Sequence, residues 1–446
     1  MMQKMTVTLP EGTTTEMHTA KFWARRMTGP GKRWFSGTQV DHFNKEILEI
    51  SKMMALERFA TSLEDFSLRM EVDAIRSMIG EAIPEVFLRK SLTGPDGEEV
   101  PVEIRDDIIE NATTIISHDM VIPLGLTIRR THLRAMPTDL ISAGDYIDND
   151  NLQLTSVSLA TPFALLARSR DNFWFFVQTS NYRGWLKADH VAIAKDRREV
   201  LSFAKAEPFL LAAGNRVEIE PDPFVRDSDS LFLQMGDTLP AAKSFEAENL
   251  HAQGPYGCYC IKIPCRDRKG FLEFRTGLIR SSEDVHSSTM KLTSKNIFRQ
   301  AFKMLGERYG WGGAFNRRDC SRFVQDIFRC FGVELPRDSW VQEKLNPAPA
   351  IVFSGDLEER KKQLASLRPG NPLYMPGHTM IYLGQAGGDF YAIHDGSGYK
   401  SGKGRPVSVH GVFVMPLSLN PMKGEKSYLE MLTSAPEMDR WLEGQT

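Results

Sequence analysis

The sequence feature that most constrains the fold is a 15-residue amphipathic segment, RDCSRFVQDIFRCFG, at residues 318–332. Its apolar residues are Phe323, Val324, Ile327, Phe328 and Phe331. Spacings of three and four residues predict a helix with one buried face. Gly332 predicts the end of this helix, because glycine adopts the left-handed conformation that closes helices. The chain must therefore supply a packing partner for a helix that begins near Asp319.

Cys320 lies at the predicted start of this helix. Backbone N–H groups are unpaired there and the positive end of the helix dipole is close. Both features favour the thiolate, which is the form of cysteine that attacks carbonyl carbons. A cysteine considered alone is more often a small buried core residue. The choice between the two interpretations depends on residues further along the chain.

Length and composition predict an ordinary multidomain protein. A chain of 446 residues is too long for one core and predicts roughly three or four domains. The sequence is 41% hydrophobic and 25% charged, with dispersed basic residues and a net charge of −2. This composition argues against a nucleic-acid partner. No apolar run reaches the ~18 residues needed for a membrane span, and no export signal is visible at the N-terminus.

The cysteines do not predict a disulfide framework or a metal site. The five cysteines lie at positions 258, 260, 265, 320 and 330. They are too few and too clustered for a disulfide scaffold. The C-x-C-x4-C pattern at residues 258–265 lacks a second ligand pair at zinc spacing, so core or incidental cysteines are the favoured interpretation. We expect neither a metal nor a cofactor.

Changes in sequence texture predict an α+β multidomain chain with four parts. Residues 19–120 show helical spacing, for example from Val40 to Met54 and from Ala55 to Ile83. Short alternating segments separated by polar turns then predict two small SH3-like β-barrels, at residues 121–198 and 199–284. Residues 285–446 combine helices with an antiparallel strand set and predict an α+β domain. Aromatic residues of the first barrel are expected in its core rather than at a ligand.

Two histidines on neighbouring predicted strands could serve Cys320 as a base and as the group that orients this base. His378 opens the alternating segment HTMIYLG, and His394 lies near the end of the following strand candidate, DFYAIHDGSG. Two antiparallel strands could bring both imidazoles to one side of the sheet. A cysteine nucleophile needs a base within hydrogen-bond reach and a group that orients this base. The combination of Cys320, His378 and His394 therefore predicts catalysis.

The motifs that carry this chemistry resemble a known family. YGWGG, DCSRFVQDIFRCFGVELPRDSWVQ, GHTMIYLG and YAIHDGSG are similar, in order and spacing, to motifs of the NlpC-type papain-like cysteine peptidases of bacterial cell walls. These motifs cover about 150 C-terminal residues. Upstream, RTHLRAMPTD and WFFVQTSNYRGW resemble the paired bacterial SH3-like domains that accompany a subgroup of these enzymes. The resemblance thus extends over most of the chain.

The resemblance implies a role for each motif residue. Cys320 would be the nucleophile, His378 the general base and acid, and His394 the residue that orients His378. Tyr309, together with the backbone N–H of Cys320, would stabilise the oxyanion. Substrate-binding residues would be Asp319, Ser321, Ser339 and Tyr182, with Asp319 and the serines holding a substrate ammonium. Asp319 and Ser339 are equally well explained as helix caps.

The resemblance also implies the substrate and leaves some questions open. The family cleaves the bond between γ-linked D-glutamate and a diamino acid in peptidoglycan stem peptides, and the SH3-bearing subgroup prefers a free N-terminal L-alanine. The segment LQLTSVSLATP lacks the acidic residue that the first barrel contributes in simpler relatives, and Asp139 or Asp145 are alternatives. We expect a monomer. The other hypotheses are a non-catalytic peptidoglycan-binding protein and an acyl-transfer enzyme whose acyl-enzyme reacts with an amine.

Overall fold

Helices and strands alternate along the chain in the computed structural model, which describes residues 7–88, 92–113, 120–143, 149–223, 228–242 and 253–445. The α-helices are α1 (Ala20–Arg25), α2 (Gly37–Met53), α3 (Val72–Ala82), α4 (Glu85–Leu88), α5 (Val102–Thr113), α6 (Arg197–Ala204), α7 (Ser294–Phe302), α8 (Cys320–Arg329), α9 (Ser339–Lys344), α10 (Leu357–Ser366) and α11 (Tyr428–Met431). Within the described ranges, no helix is both long and apolar enough to cross a bilayer.

The β-strands are antiparallel to their sheet neighbours. They are β1 (Arg69–Met70), β2 (Met120–Val121), β3 (Leu124–Thr127), β4 (Thr131–Arg134), β5 (Gln153–Val157), β6 (Pro162–Arg168), β7 (Trp174–Thr179), β8 (Arg183–Lys187), β9 (Val191–Ile193), β10 (Phe209–Ala212), β11 (Arg216–Glu218), β12 (Phe232–Gln234), β13 (Thr238–Pro240), β14 (Cys258–Arg266), β15 (Leu272–Arg280), β16 (Val285–His286), β17 (Ala350–Val352), β18 (Pro372–Met375), β19 (His378–Ala386), β20 (Asp389–Lys400), β21 (Pro406–Pro416), β22 (Asn420–Pro421) and β23 (Ser434–Pro436).

The contacts between residues group the chain into two units. The barrel unit comprises residues 51–289 and 310–316, and the sheet unit comprises residues 1–50, 290–309 and 317–446. The four-part division predicted from the sequence stays a prediction. The grouping places α1 and most of α2 in the sheet unit and α3 to α5 in the barrel unit.

The barrel unit contains a first group of strands, β3 to β9, and a second group, β10 to β16, and the prediction that the second is an SH3-like barrel stays a prediction. In the first group the strand order is β5-β4-β8-β7-β6-β3-β9. Its core includes Trp174, Phe176 and Trp185, all buried, as expected for core aromatics rather than ligand contacts. The second group consists of shorter sheets, β13-β10-β16, β11-β12 and β14-β15.

One segment of the barrel unit comes from far along the sequence. Residues 310–316 pack against β5: Gln153 Nε2 donates to the carbonyl of Gly312 at 2.8 Å, and Ser156 Oγ donates to that of Gly313 at 3.3 Å. Gly313 has a φ of +82°, and a Cβ there would lie 1.8 Å from Ser156 Oγ. Only glycine therefore fits this position in the WGG motif.

The sheet unit is built on the strand order β17-β23-β18-β19-β20-β21. One face carries an apolar core that includes Met380, Ala392 and Phe413, with α10 and α11 contributing Leu364 and Leu429. Helix α8 contacts β19 and β20. This helix confirms the amphipathic helix predicted from the sequence. All its residues from Cys320 to Phe328 are buried, so its polar side is covered as well as its apolar face.

The N-terminal residues of the sheet unit secure the end of α8. Asn44 on α2 donates from Nδ2 to the carbonyl of Gly332 at 2.8 Å, and its Oδ1 accepts from the N–H of Glu334 at 2.9 Å. Gly332 has a φ of +81°. The sequence-based stop signal is therefore correct, and Asn44 satisfies a carbonyl that the helix leaves unpaired.

Candidate active site

The start of α8 positions Cys320. Asp319 is the N-cap residue, and its Oδ1 accepts the N–H of Arg322 at 3.0 Å. This cap satisfies one of the unpaired donors of the first turn. The Cys320 sulfur accepts the backbone N–H of Thr379, the residue that follows His378 on β19. The fold thus brings the thiol to the strand that carries the predicted base.

The two histidines form a hydrogen-bonded pair. His378 Nε2 and His394 Nδ1 are 2.6 Å apart. His394 is fully buried against the rings of Phe413 and Tyr428, at centroid distances of 4.3 and 5.6 Å. A Cβ on Gly396 would lie 3.0 Å from His394 Nδ1 and 3.5 Å from His378 Cε1, so a larger residue would displace the pair.

Tyr309 lies close enough to Cys320 for the charge of Cys320 to affect the pKa of its phenol. Burial raises the pKa of the Tyr309 phenol well above its usual value, and the charges of Cys320 and Asp319 act in the same direction. Its backbone N–H donates to the carbonyl of His410 at 2.9 Å, which ties it to β21. The phenol stays protonated and can donate a hydrogen bond.

The thiol and the imidazoles are neutral in this site. Burial raises the pKa of the Cys320 thiol to about 12, and the neighbouring Asp319 adds to the effect. Burial lowers the pKa of His378 to about 4, and it lowers that of His394, on which the charge of His378 also acts. The sequence-based expectation of a lowered thiol pKa is wrong here, because desolvation and an adjacent carboxylate outweigh the helix dipole.

Asp319 has a strong partner that the sequence reasoning missed. Arg337 donates to Asp319 Oδ2 at 2.6 Å and to Oδ1 at 2.9 Å, and both side chains are buried. Ser321 Oγ donates to Asp319 Oδ1 at 3.2 Å and accepts from Arg337 at 2.9 Å. The available signal was the arginine of the LPRDS segment, a charged residue between a buried helix and a helix start.

The other predicted substrate residues lie in different settings. Ser339 is the first residue of α9, half-buried, while Asp338 holds the N-cap position, so the predicted cap role of Ser339 is wrong. Tyr182 lies in the barrel unit, buried edge-on against Phe59 at 5.5 Å between ring centroids. Its substrate role stays a prediction from the resemblance.

The alternative acidic residues of the first barrel give no clear candidate. Asp139 is exposed and pairs with Lys187 at 2.7 Å. Asp145 lies outside the described residues. Among the residues that the structure describes, no group of three or more histidine, cysteine or acidic side chains is arranged to hold a metal ion.

Acidification is expected to destabilise the protein through the buried histidines. Their folded-state pKa values lie below the unfolded value of about 6.5, so the unfolded state binds more protons below that pH. Stability is therefore complete above pH 6.5 and falls as the pH is lowered. We expect the difference in unfolding free energy between the wild type and His394→Gln to shrink between pH 7.5 and 5.5, measured by urea denaturation.

A histidine of the barrel unit does not affect this comparison. Desolvation and Arg130 also lower the pKa of His132 to about 4, but this residue is common to both proteins. Its contribution cancels in the difference. Parallel stability curves for the two proteins would show that His394 takes up no proton on unfolding and would contradict this prediction.

Comparisons with known proteins agree with this geometry. Residues 306–401 match the NlpC/P60 family, and residues 139–187 match an SH3 domain of the SH3b1 type. A gamma-D-glutamyl-L-lysine dipeptidyl-peptidase of Bacillus subtilis (strain 168) is 30% identical over 122 residues, which is 26% of this chain. The match spans 40% of that relative's length.

One solved structure shares the fold of this chain. An NlpC/P60 endopeptidase from Photobacterium damselae subsp. piscicida aligns with a TM-score of 0.72 at 17% identity, covering 93% of this chain and 96% of the other. NlpC2 from Trichomonas vaginalis aligns with a TM-score of 0.26 at 14% identity, covering 71% of this chain and 97% of the other. The family matches show an NlpC/P60 domain and an SH3b domain in the chain, and the first of these two structures supports the α+β multidomain fold.

Proposed function

We propose that the protein is a cysteine peptidase that cleaves the γ-D-glutamyl–diamino acid bond of peptidoglycan stem peptides with a free N-terminal L-alanine. One observation carries the proposal: a cysteine at a buried helix start accepts a hydrogen bond from the residue that follows His378, which is itself paired with His394. The NlpC/P60 match and the name of the Bacillus subtilis relative support the type of bond.

The hydrogen bond between the histidines sets the direction of proton transfer. For His378 to accept the thiol proton at Nδ1, its Nε2 must carry hydrogen and donate to His394 Nδ1. Cys320 then attacks the γ-carbonyl carbon as a thiolate, and its proton moves to His378. Because the resting thiol has a raised pKa, this transfer accompanies attack rather than preceding it.

The remaining steps follow from acyl-transfer chemistry. The C–N bond breaks as His378 returns the proton to the leaving amine, which leaves a γ-glutamyl thioester on Cys320. Tyr309 and the N–H of Cys320 stabilise the oxyanion in both halves of the reaction. Water, deprotonated by His378, then attacks the thioester carbonyl carbon. The C–S bond breaks, the γ-glutamyl acid leaves, and His378 returns the proton to the sulfur of Cys320. Asp319 and Ser321 act on the substrate together with Arg337, with which they share a hydrogen-bond network.

Product analysis tests the proposal directly. Purified protein is incubated with L-Ala-γ-D-Glu-diaminopimelate stem peptides whose L-alanine is free or muramyl-capped, and the products are identified by mass spectrometry. We expect L-Ala-γ-D-Glu and the peptide that begins with the diamino acid, released from the free peptide. Sacculus binding without any released peptide would instead favour the peptidoglycan-binding hypothesis. Conjugates with an added amine, in place of the free acid, would favour the acyl-transfer hypothesis.

A further inference from the structure

Asp395 is a buried carboxyl group in the sheet unit that the proposed mechanism does not use. It follows His394 on β20 and its side chain is fully buried. Neither of its carboxyl oxygens has a hydrogen-bond partner among the residues that the structure describes. An unpaired buried acid costs several kcal/mol unless it is protonated or meets a cation. Such a group calls for a specific explanation.

Asp395 lies close to the nucleophile, because its charge acts on the ionisation of both Cys320 and Tyr309. Side chains alternate along a strand, so Asp395 faces away from His394 and from the core covered by α10 and α11. Ile381 on β19 pairs with Ile393 on β20, which sets the register of the two strands. Continued by two residues, this register places Thr379 opposite Asp395, with both side chains on the same face of the sheet. Thr379 is the residue whose N–H binds the Cys320 sulfur.

The charges around Asp395 leave it without a cation of its own. Burial raises its pKa well above the usual value, and the carboxylates of Asp319 and Glu307 act in the same direction. Arg318 opposes them, but its guanidinium already pairs with Glu307 and Asp326 at 2.8 and 2.7 Å. Arg337 is likewise engaged by Asp319. A positive group entering this region would find an acid ready to pair with it.

We propose that Asp395 binds a primary ammonium group of the substrate and so contributes to substrate selection. The proposal rests on the proposed function, because stem peptides of this type carry two such groups: the α-ammonium of the N-terminal residue and the side-chain ammonium of the diamino acid. Asp395 loses its proton when the ammonium binds. The resulting ion pair replaces the cost of a buried, unpartnered carboxyl group with a charge-assisted hydrogen bond.

Three peptides distinguish the two ammonium groups. The first is unmodified L-Ala-γ-D-Glu-diaminopimelate, the second is acetylated on L-alanine, and the third is acetylated on the side-chain amine. We expect Asp395→Asn to lower kcat/KM at least about tenfold for the unmodified peptide and for one acetylated peptide. The peptide whose acetyl group blocks the relevant ammonium should be cleaved equally by both proteins, which identifies the group.

A control on the same strand separates this effect from damage to the sheet. Asp389→Asn makes the same chemical change at the first residue of β20 and should leave all three rates within about twofold of the wild type. Equal losses on all three peptides for Asp395→Asn, or no loss on any, would overturn the proposal. A thermal melt verifies that Asp395→Asn remains folded.

A binding experiment keeps this proposal distinct from the proposed function. The same peptides are titrated into Cys320→Ala, with and without Asp395→Asn, by calorimetry in two buffers of different ionisation enthalpy. We expect binding of the unmodified peptide to release a proton, and we expect Asp395→Asn to abolish that release and weaken binding about tenfold. Unchanged affinity, or no binding in any arm, would overturn ammonium recognition. Absence of cleavage by the wild type, with binding intact, would overturn the proposed function alone.

Discussion

Replacing Cys320 with alanine is expected to abolish hydrolysis of γ-D-glutamyl peptides, a loss on the order of 10⁶-fold in kcat. The substitution removes the sulfur that forms the thioester, and the adjacent hydroxyl of Ser321 is held in hydrogen bonds with Asp319 and Arg337. Alanine is the best helix former, so the helix itself should persist. The measurement is release of the diamino-acid product by mass spectrometry, with circular dichroism to verify the fold.

Cys330→Ala is the matched control for this substitution. Cys330 caps the opposite end of the same helix and is also buried, and burial raises the pKa of its thiol to about 11. Its sulfur accepts a hydrogen bond from Gln300 at 3.2 Å. We expect Cys330→Ala to retain activity while losing about 1–2 kcal/mol of stability. Turnover by Cys320→Ala at more than a few per cent of the wild type would refute the thioester mechanism.

Replacing Arg318 with methionine is expected to lower the free energy of unfolding by about 3–5 kcal/mol. The Arg318 side chain is 1% exposed and its guanidinium bridges Asp326 on α8 and Glu307. Removing it takes away a positive charge that two buried carboxylates share, and Asp326 then keeps the pairs with Arg322 at 2.6 Å and Arg329 at 3.8 Å. Truncating one partner of a buried ion network costs more than the network itself contributes. Denaturation with urea, followed by tryptophan fluorescence, measures the change.

The neighbouring arginine supplies the control for the stability measurement. Arg317 is half-buried, and Arg317→Met makes the same chemical change one residue earlier. We expect it to alter stability by less than about 1 kcal/mol. A similar loss in both variants would mean that the decrease reflects the methionine side chain in this segment rather than the buried ion network.

The local sequence pattern was sufficient to predict those helices and strands whose end signals lie in their own sequence. The predicted helix at residues 318–332 ends where Gly332 adopts a positive φ, and the strands that carry His378 and His394 lie where their alternation placed them. The sequence from Asn296 to Arg308 also has helical spacing, with Ile297, Ala301, Met304 and Leu305 on one side, but helix α7 ends at Phe302. Gly306 has a φ of +79°, and its N–H donates to the carbonyl of Val412 on β21. The backbone at this point therefore bonds to a strand instead of continuing the helix.

The largest error in the helix prediction has a long-range cause. Helical spacing from Ala55 to Ile83 predicted one continuous element, but the structure has turns and the short strand β1 before α3. The guanidinium of Arg197 donates to the carbonyls of Leu63 and Phe66 at 3.3 and 2.9 Å. A side chain more than a hundred residues away thus satisfies backbone groups that a helix would otherwise pair internally.

The sequence by itself predicted the helix that begins at Cys320 and the strands that carry the two histidines, because residue type and periodicity carry that information. Only the tertiary structure decided the ionisation of these groups and the pairing of Asp319 with Arg337. It alone also revealed Asp395 as a buried acid without a partner among the described residues. The physical reason is that charge states depend on desolvation and on neighbours distant in sequence, which no local pattern encodes.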